Sequence, residues 1–210
     1  MPLFDEHESQ QAYHDFALVY DEMMQGIDYP VWAEYVLKLY ERYAPPEQVA
    51  CAPRSILDLA CGTGSFLALL QEKGWRVTGV DRSPSMLALA DEKLRAGKGP
   101  YRLLEQDLSR VDVGEQFPLV TCLCDSLNYL LSLSQLQEAL DRVYAHLLPG
   151  GVFIADLNSP YKFQEILGNN TYAAVFENSA YIWVNSFDPA SGRCRMEVDF
   201  FQRHQGELFR

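Results

Sequence analysis

The sequence predicts an α/β fold: a parallel sheet covered by helices, with a helical N-terminal cap and a β-rich C-terminal excursion. Three observations predict it. A short apolar run, Ile56, Leu57 and Leu59, ends in the small residues Ala60-Cys61-Gly62-Thr63-Gly64 and is followed by apolar residues at helical spacing. A second strand-like run, Trp75 to Val80, ends on Asp81. Strand-like and helix-like segments then alternate to about residue 160, the pattern of a parallel sheet.

In chain order, residues 1–46 read as a helical cap. Phe16, Val19, Tyr20, Met23 and Met24 fall near helical spacing up to Gly26, and Trp32, Tyr35, Val36, Leu39 and Tyr43 share a face before Pro45-Pro46. Tyr20 and Trp32 would form a lid if their rings met a cation; the plainer alternative is a hairpin packed on the core. Residues 47–53 read as a linker within a core domain of residues 47–160. Phe66, Leu67, Leu69 and Leu70 predict a helix that stops at Gly74. Ser83-Pro84 caps a helix over residues 84–96, and Tyr101 to Glu105 suits a third strand. Phe117 to Cys124 is the fourth strand, and Ser134-x-x-Gln137 reads as a capping box for the next helix. Pro149-Gly150-Gly151 leads into a fifth strand from Val152 to Leu157. Residues 161–210 read as an antiparallel subdomain. Its strands are Tyr172–Phe176, Tyr181–Phe187, Arg195–Phe201 and Glu207–Arg210, with a hairpin loop at Asp188–Gly192.

Composition narrows the function. The 210 residues carry a formal net charge of −12, with no Lys/Arg cluster, which disfavours a nucleic-acid partner. No apolar run is long enough to span a bilayer, and no basic-then-apolar leader opens the chain. Five cysteines (Cys51, Cys61, Cys122, Cys124 and Cys194) form neither a disulfide framework nor a C-x-x-C pair, which fits a reducing cytoplasm. Cys122 and Cys124 are expected as buried thiols on one strand face. His7, His14, His146 and His204 lack metal spacing and read as surface or packing residues; no metal is expected.

The turn and the acids carry the chemistry. Asp81 lies 23 residues after Asp58, near the spacing at which a second-strand carboxylate meets a ribose. A dinucleotide fingerprint would require Gly at 60, 62 and 65; here stand Ala60, Gly62 and Ser65, with glycine at 64 instead. That pattern argues against a nucleotide-dependent oxidoreductase. Asp107, after the third strand, serves either an adenine amino group or a turn. Asp125 lies past the fourth strand, where open parallel sheets bind ligands.

Asp58-x-Ala60-x-Gly62-x-Gly64, with Val80-Asp-Arg-Ser-Pro-Ser-Met86, Gln106-Asp-Leu108, Cys124-Asp-Ser-Leu-Asn-Tyr129 and Leu148-Pro-Gly-Gly151, resembles class I S-adenosylmethionine (SAM) dependent methyltransferases, in particular small bacterial ones. That family has Gly where this chain has Ala60. The resemblance implies a Rossmann-like fold and SAM as cofactor. It implies that the Ala60–Gly64 turn cradles the methionine part, with Asp58 beneath its amino group. Asp81 would hold the ribose, with Arg82 and Met86 lining the adenosine pocket. Gln106, Asp107 and Leu108 would frame the adenine. Cys124 and Asp125 would lie near the reacting centre, and Tyr20 would reach in from the N-terminal helices. Asp125 is the candidate base or acceptor-orienting group. The expected reaction is methyl transfer to an unidentified small-molecule acceptor; a non-catalytic SAM-binding regulator is the alternative. Because the family fold closes with two further strands, the chain is expected to stop before that closure.

Overall fold

The computed structural model describes residues 16, 17, 19–204, 208 and 209; the cap residues before 16 lie outside them. Residues 19–23 are helical and pass into a 3-10 turn, Met24–Gly26. The regular elements that follow are α1 (Tyr29–Tyr43), α2 (Pro46–Cys51), β1 (Ser55–Leu59), α3 (Ser65–Glu72), β2 (Arg76–Asp81), α4 (Pro84–Ala96), β3 (Tyr101–Glu105), β4 (Phe117–Cys122), α5 (Leu133–Ala145) and β5 (Leu147–Ala155). After a π-type segment, Lys162–Leu167, come β6 (Thr171–Val175), β7 (Ser179–Asp188), β8 (Arg193–His204) and β9 (Leu208–Phe209). No helix among the described residues is long and apolar enough to cross a membrane.

The described residues fall into two compact units. One holds Gly26–Leu157 with residues 16 and 17; the other joins residues 19–25 to the chain from Asn158 onward. The first contains a five-stranded sheet of order β3-β2-β1-β4-β5, all parallel. Strand order reverses between β1 and β4, which makes the carboxyl ends of those strands a topological switch point.

The core has two sides because strand side chains alternate. Ile56 and Leu119 join α1 and α3 residues (Val36, Tyr40, Phe66, Leu70) on one face. Leu57, Leu59, Val120 and Cys122 join Val143 and Leu127 on the other. β1 is buried throughout, as a central parallel strand must be.

Four sequence expectations shift. The aromatic stripe expected on α1 is not the buried one. Ala33, Val36 and Tyr40 face the core, whereas Tyr35 and Tyr43 are 61% and 64% exposed. Trp32 packs half-buried against the core cluster, and Tyr40 meets Trp75 edge-on at 5.7 Å. The expected linker contains the helix α2, started by Pro46 in its first turn. β4 ends at Cys122, two residues early, because Cys124 and Asp125 adopt left-handed backbone. Cys122 is buried, while Cys124, off the strand, is only partly so. The capping box sits two residues upstream of Ser134. Ser132 Oγ accepts from Gln135 N at 3.2 Å, and Gln135 Oε1 accepts from Leu131 N at 3.1 Å.

His146 is a packing residue, as expected. It caps α5 and is buried; Nδ1 lies 2.7 Å from the Arg142 carbonyl, and Nε2 accepts from Val113 N at 3.0 Å. Because Nε2 accepts, Nδ1 carries the proton. His146→Leu leaves the Val113 amide without its acceptor and is expected to cost roughly 1–3 kcal/mol. Urea denaturation would read this as a lower midpoint at unchanged slope.

The second unit contains an antiparallel sheet of order β6-β7-β8-β9. The β7–β8 hairpin closes at the expected loop, where the Asp188 carboxylate accepts from Ala190 N at 3.0 Å and Ser191 Oγ at 2.6 Å. Asn185 is buried on this sheet and donates to the Leu167 carbonyl at 2.9 Å. The Ser179 hydroxyl donates to the Glu22 carboxylate, which ties residues 19–23 to β7.

Candidate functional site

Strand register builds the centre of the site. Asp58 on β1 pairs with Gly79 on β2 and with Thr121 on β4, so the three residues form one row across the sheet. Gly79 has no side chain because none fits: a Cβ there would come within 2.7 Å of Cys61 Sγ and 2.8 Å of a Leu67 methyl. Thr121 Oγ1 donates to Asp58 Oδ1 at 2.6 Å. Asp58 is 3% exposed. Burial pushes its carboxyl from 3.8 up to about 7; the Thr121 hydrogen bond opposes the rise and the Asp81 charge adds to it.

The turn after β1 is braced from both sides. Ala60, Gly62 and Gly64 all have left-handed backbone, with φ of 56, 54 and 73°. Alanine at the first of these costs about 1–2 kcal/mol more than glycine would. Cys61 N donates to the Val80 carbonyl at 3.0 Å, and Gly62 N donates to Asp81 Oδ2 at 2.8 Å. The other carboxylate oxygen of Asp81 accepts from Ser83 N at 2.9 Å. Asp81 therefore ties the turn to the start of α4. Burial nonetheless raises its pKa, against the pull of those two amides. On the opposite side, a Cβ on Gly64 would lie 2.9 Å from Ala90 Cβ of α4. One turn further along that helix, Lys93 Nζ donates to Thr63 Oγ1 at 2.9 Å and Ser65 Oγ at 2.8 Å.

The remaining candidates fall at neighbouring strand ends. Exposed Arg82 lies near enough to Asp81 and Asp107 for its charge to favour both carboxylates. Met86 is buried in the first turn of α4. Gln106 braces its own loop: its amide donates to the Asp112 carbonyl at 3.0 Å and accepts from Asp112 N at 2.8 Å. Asp107 caps the turn Leu108–Arg110, accepting from Ser109 N at 2.8 Å and Ser109 Oγ at 2.6 Å; those bonds hold its pKa down. Leu108 packs against the second core cluster. Cys124 and Asp125 have φ of 56 and 50°. Burial, followed by the charges of Asp156, Asp58 and Asp125, pushes the Cys124 thiol up to about 12. Tyr20 belongs to the second unit.

Sequence reading missed Gly79, Lys93, Thr121 and Asp156. The last had a usable signal as an acid near the end of the expected fifth strand; that strand stops at Ala155 rather than Leu157, so Asp156 follows it as Asp107 and Asp125 follow the third and fourth. Thr121 and Lys93 had none, since their roles depend on pairing and packing across 63 and about 30 residues.

Every strand of the parallel sheet ends at an acid. These are Asp58 just before the last residue of β1, Asp81 closing β2, Asp107 and Asp125 shortly after β3 and β4, and Asp156 directly after β5. Among the described residues, no group of three or more His, Cys, Asp or Glu is placed to hold a metal ion. An acid-lined edge repels a pyrophosphate and suits a nucleoside with cationic groups. SAM fits this donor set: its sulfonium and ammonium are cations, and its ribose supplies hydroxyl donors for Asp81. Fold and site thus define a Rossmann-like α/β protein that receives a cationic nucleoside.

A family model for methyltransferase domains matches residues 56–151. A methyltransferase predicted in Geobacillus sp. (strain WCH70) is 34% identical over 172 residues, covering 82% of this chain and 68% of that protein. The crystal structure of a SAM-dependent methyltransferase from Clostridium acetobutylicum ATCC 824 superposes with a TM-score of 0.79 at 32% identity, covering 95% of this chain and 78% of that one. A dTDP-3-amino-3,6-dideoxy-alpha-D-glucopyranose N,N-dimethyltransferase of Streptomyces fradiae is 33% identical over 154 residues, and this chain spans 55% of its length. The chain belongs to the class I SAM-dependent methyltransferase family, and its cofactor is S-adenosylmethionine.

Proposed function

We propose that the chain transfers a methyl group from SAM to an amine on a small molecule, with amino sugars as the first class to test. The observation that carries this reading is the row of carboxylates along the sheet edge. It favours a cationic cofactor, and equally the ammonium that an amine becomes on methylation. The Streptomyces relative, whose acceptor is such a sugar, supports the same class.

When bound, SAM supplies an already activated methyl group, so the protein's task is to position and to exclude water. Asp81 receives the ribose hydroxyls on the oxygens that already hold the turn. Asp107, Leu108, Arg82 and Met86 contribute the adenosine side, with Gln106 fixing the loop beneath them. Asp58 receives the amino group. Cys124 and Asp125 stand at the methyl end, and Asp125 orients the acceptor's N–H.

Incubation with methyl-labelled SAM and a panel of amino sugars and small amines tests this. Label is expected in the small-molecule fraction. Label confined to protein or nucleic acid overturns the acceptor class, and SAM binding without any transfer supports a regulatory protein instead.

A further inference from the structure

We propose that Asp156 is a positioning residue for methyl transfer: it fixes the left-handed Cys124–Asp125 step and supplies a negative charge at the strand ends that favours the sulfonium cofactor over the neutral thioether product. This rests on the SAM reading above. Ala155 pairs with Cys122, so Asp156 emerges beside the end of β4. Its Oδ2 accepts from Asp125 N at 2.9 Å. That bond holds the amide between two consecutive non-glycine residues with positive φ, a conformation that persists only when its surroundings fix it.

The other oxygen makes the acid informative. Asp156 Oδ1 is buried and has no hydrogen-bond partner among the described residues. An asparagine oxygen would accept from Asp125 N equally well without burying an unpaired charge-bearing oxygen. Holding the turn therefore does not by itself explain the acid; its charge does.

That charge is felt at the strand ends. Asp156 and Asp58 both raise the thiols of Cys122 and Cys124, after burial, so these thiols stay neutral and add no negative charge of their own. A cation placed beside Cys124 meets a net negative field. Methyl transfer turns the sulfonium into an uncharged thioether, so the same field holds the substrate more tightly than the product.

Calorimetric titration of SAM and S-adenosylhomocysteine into the wild type, Asp156→Asn and Asp156→Ala tests the inference without turnover. Asp156→Asn keeps the acceptor for Asp125 N. It is expected to lower the SAM-to-thioether affinity ratio by about 5–20-fold, through SAM alone. Asp156→Ala frees the turn and is expected to weaken both ligands. An unchanged ratio in Asp156→Asn, or equal loss of both ligands there, overturns the inference. Binding of neither ligand by the wild type overturns the cofactor reading and this inference with it.

Discussion

Asp58→Asn is expected to stabilise the protein at pH 8 while removing most of its affinity for SAM. The first effect follows from burial. The Asp58 carboxyl titrates at about 7 in the folded protein against 3.8 when free, so the folded state keeps a proton that the unfolded chain has lost. Between about pH 4 and pH 7 the unfolded state binds fewer protons, and stability declines as pH rises through that window. The accumulated cost above pH 7 is roughly 4 kcal/mol. Asparagine removes the charge and can still accept from Thr121 Oγ1, so a gain of about 2–4 kcal/mol is expected at pH 8. Near pH 5 the gain shrinks, because Asp58 is then protonated. Urea denaturation of both proteins at pH 5 and pH 8 measures the difference. The second effect is electrostatic: an ionised Asp58 facing the ligand's ammonium is worth about 2 kcal/mol, roughly 30-fold in affinity. Wild-type affinity should also rise as pH passes 7. A variant that gained stability yet bound SAM normally would remove Asp58 from the cofactor site.

Asp81→Ala is expected to weaken SAM by about 100-fold or more. The carboxylate has two tasks here. It accepts from Gly62 N and Ser83 N, locking the glycine turn to α4, and in the proposed reading it also receives the ribose. Truncation leaves both amides without their acceptor and lets the turn relax, so stability is expected to fall by about 1–3 kcal/mol as well. Asp81→Asn separates the tasks. One amide oxygen still braces one backbone N–H, so folding should largely recover while ribose recognition does not. Isothermal titration gives the affinities and thermal melts give the stabilities. SAM affinity untouched in Asp81→Ala contradicts the ribose role.

Local chemistry was the legible part of this molecule. The run from Arg54 to Gly64 could be read as strand, turn and helix because hydrophobic period and glycine placement are both local signals. The helix at 84–96 was equally plain, with Ser83 and Pro84 marking its start. The capping box is ambiguous in sequence because two Ser-x-x-Gln frames overlap there, and the reach of Gln135 back to Leu131 decides between them. The aromatic residues of α1 suggest a core stripe, but the helix is rotated so that small Ala33 is buried while Tyr35 and Tyr43 face solvent. In the site, spacing marks Asp58 and Asp81 as candidates, and the structure places them at the ends of the adjacent strands β1 and β2. The Gly79–Asp58–Thr121 row could not be found from spacing, since parallel register between strands 63 residues apart leaves no mark on the chain. The bracing of Lys93 against Thr63 is hidden for a similar reason, whereas that of Gln106 against Asp112, 6 residues away, depends on a loop conformation that the residue types do not mark.

The most direct measurement is a crystal structure of the protein grown with SAM. The expected result places the adenosyl group across the carboxyl ends of β1 and β2 with both ribose hydroxyls on Asp81, and the sulfonium beside Cys124. Clear density for SAM at any other position, with the Ala60–Gly64 turn and Asp81 making no contact to it, would contradict the assignment.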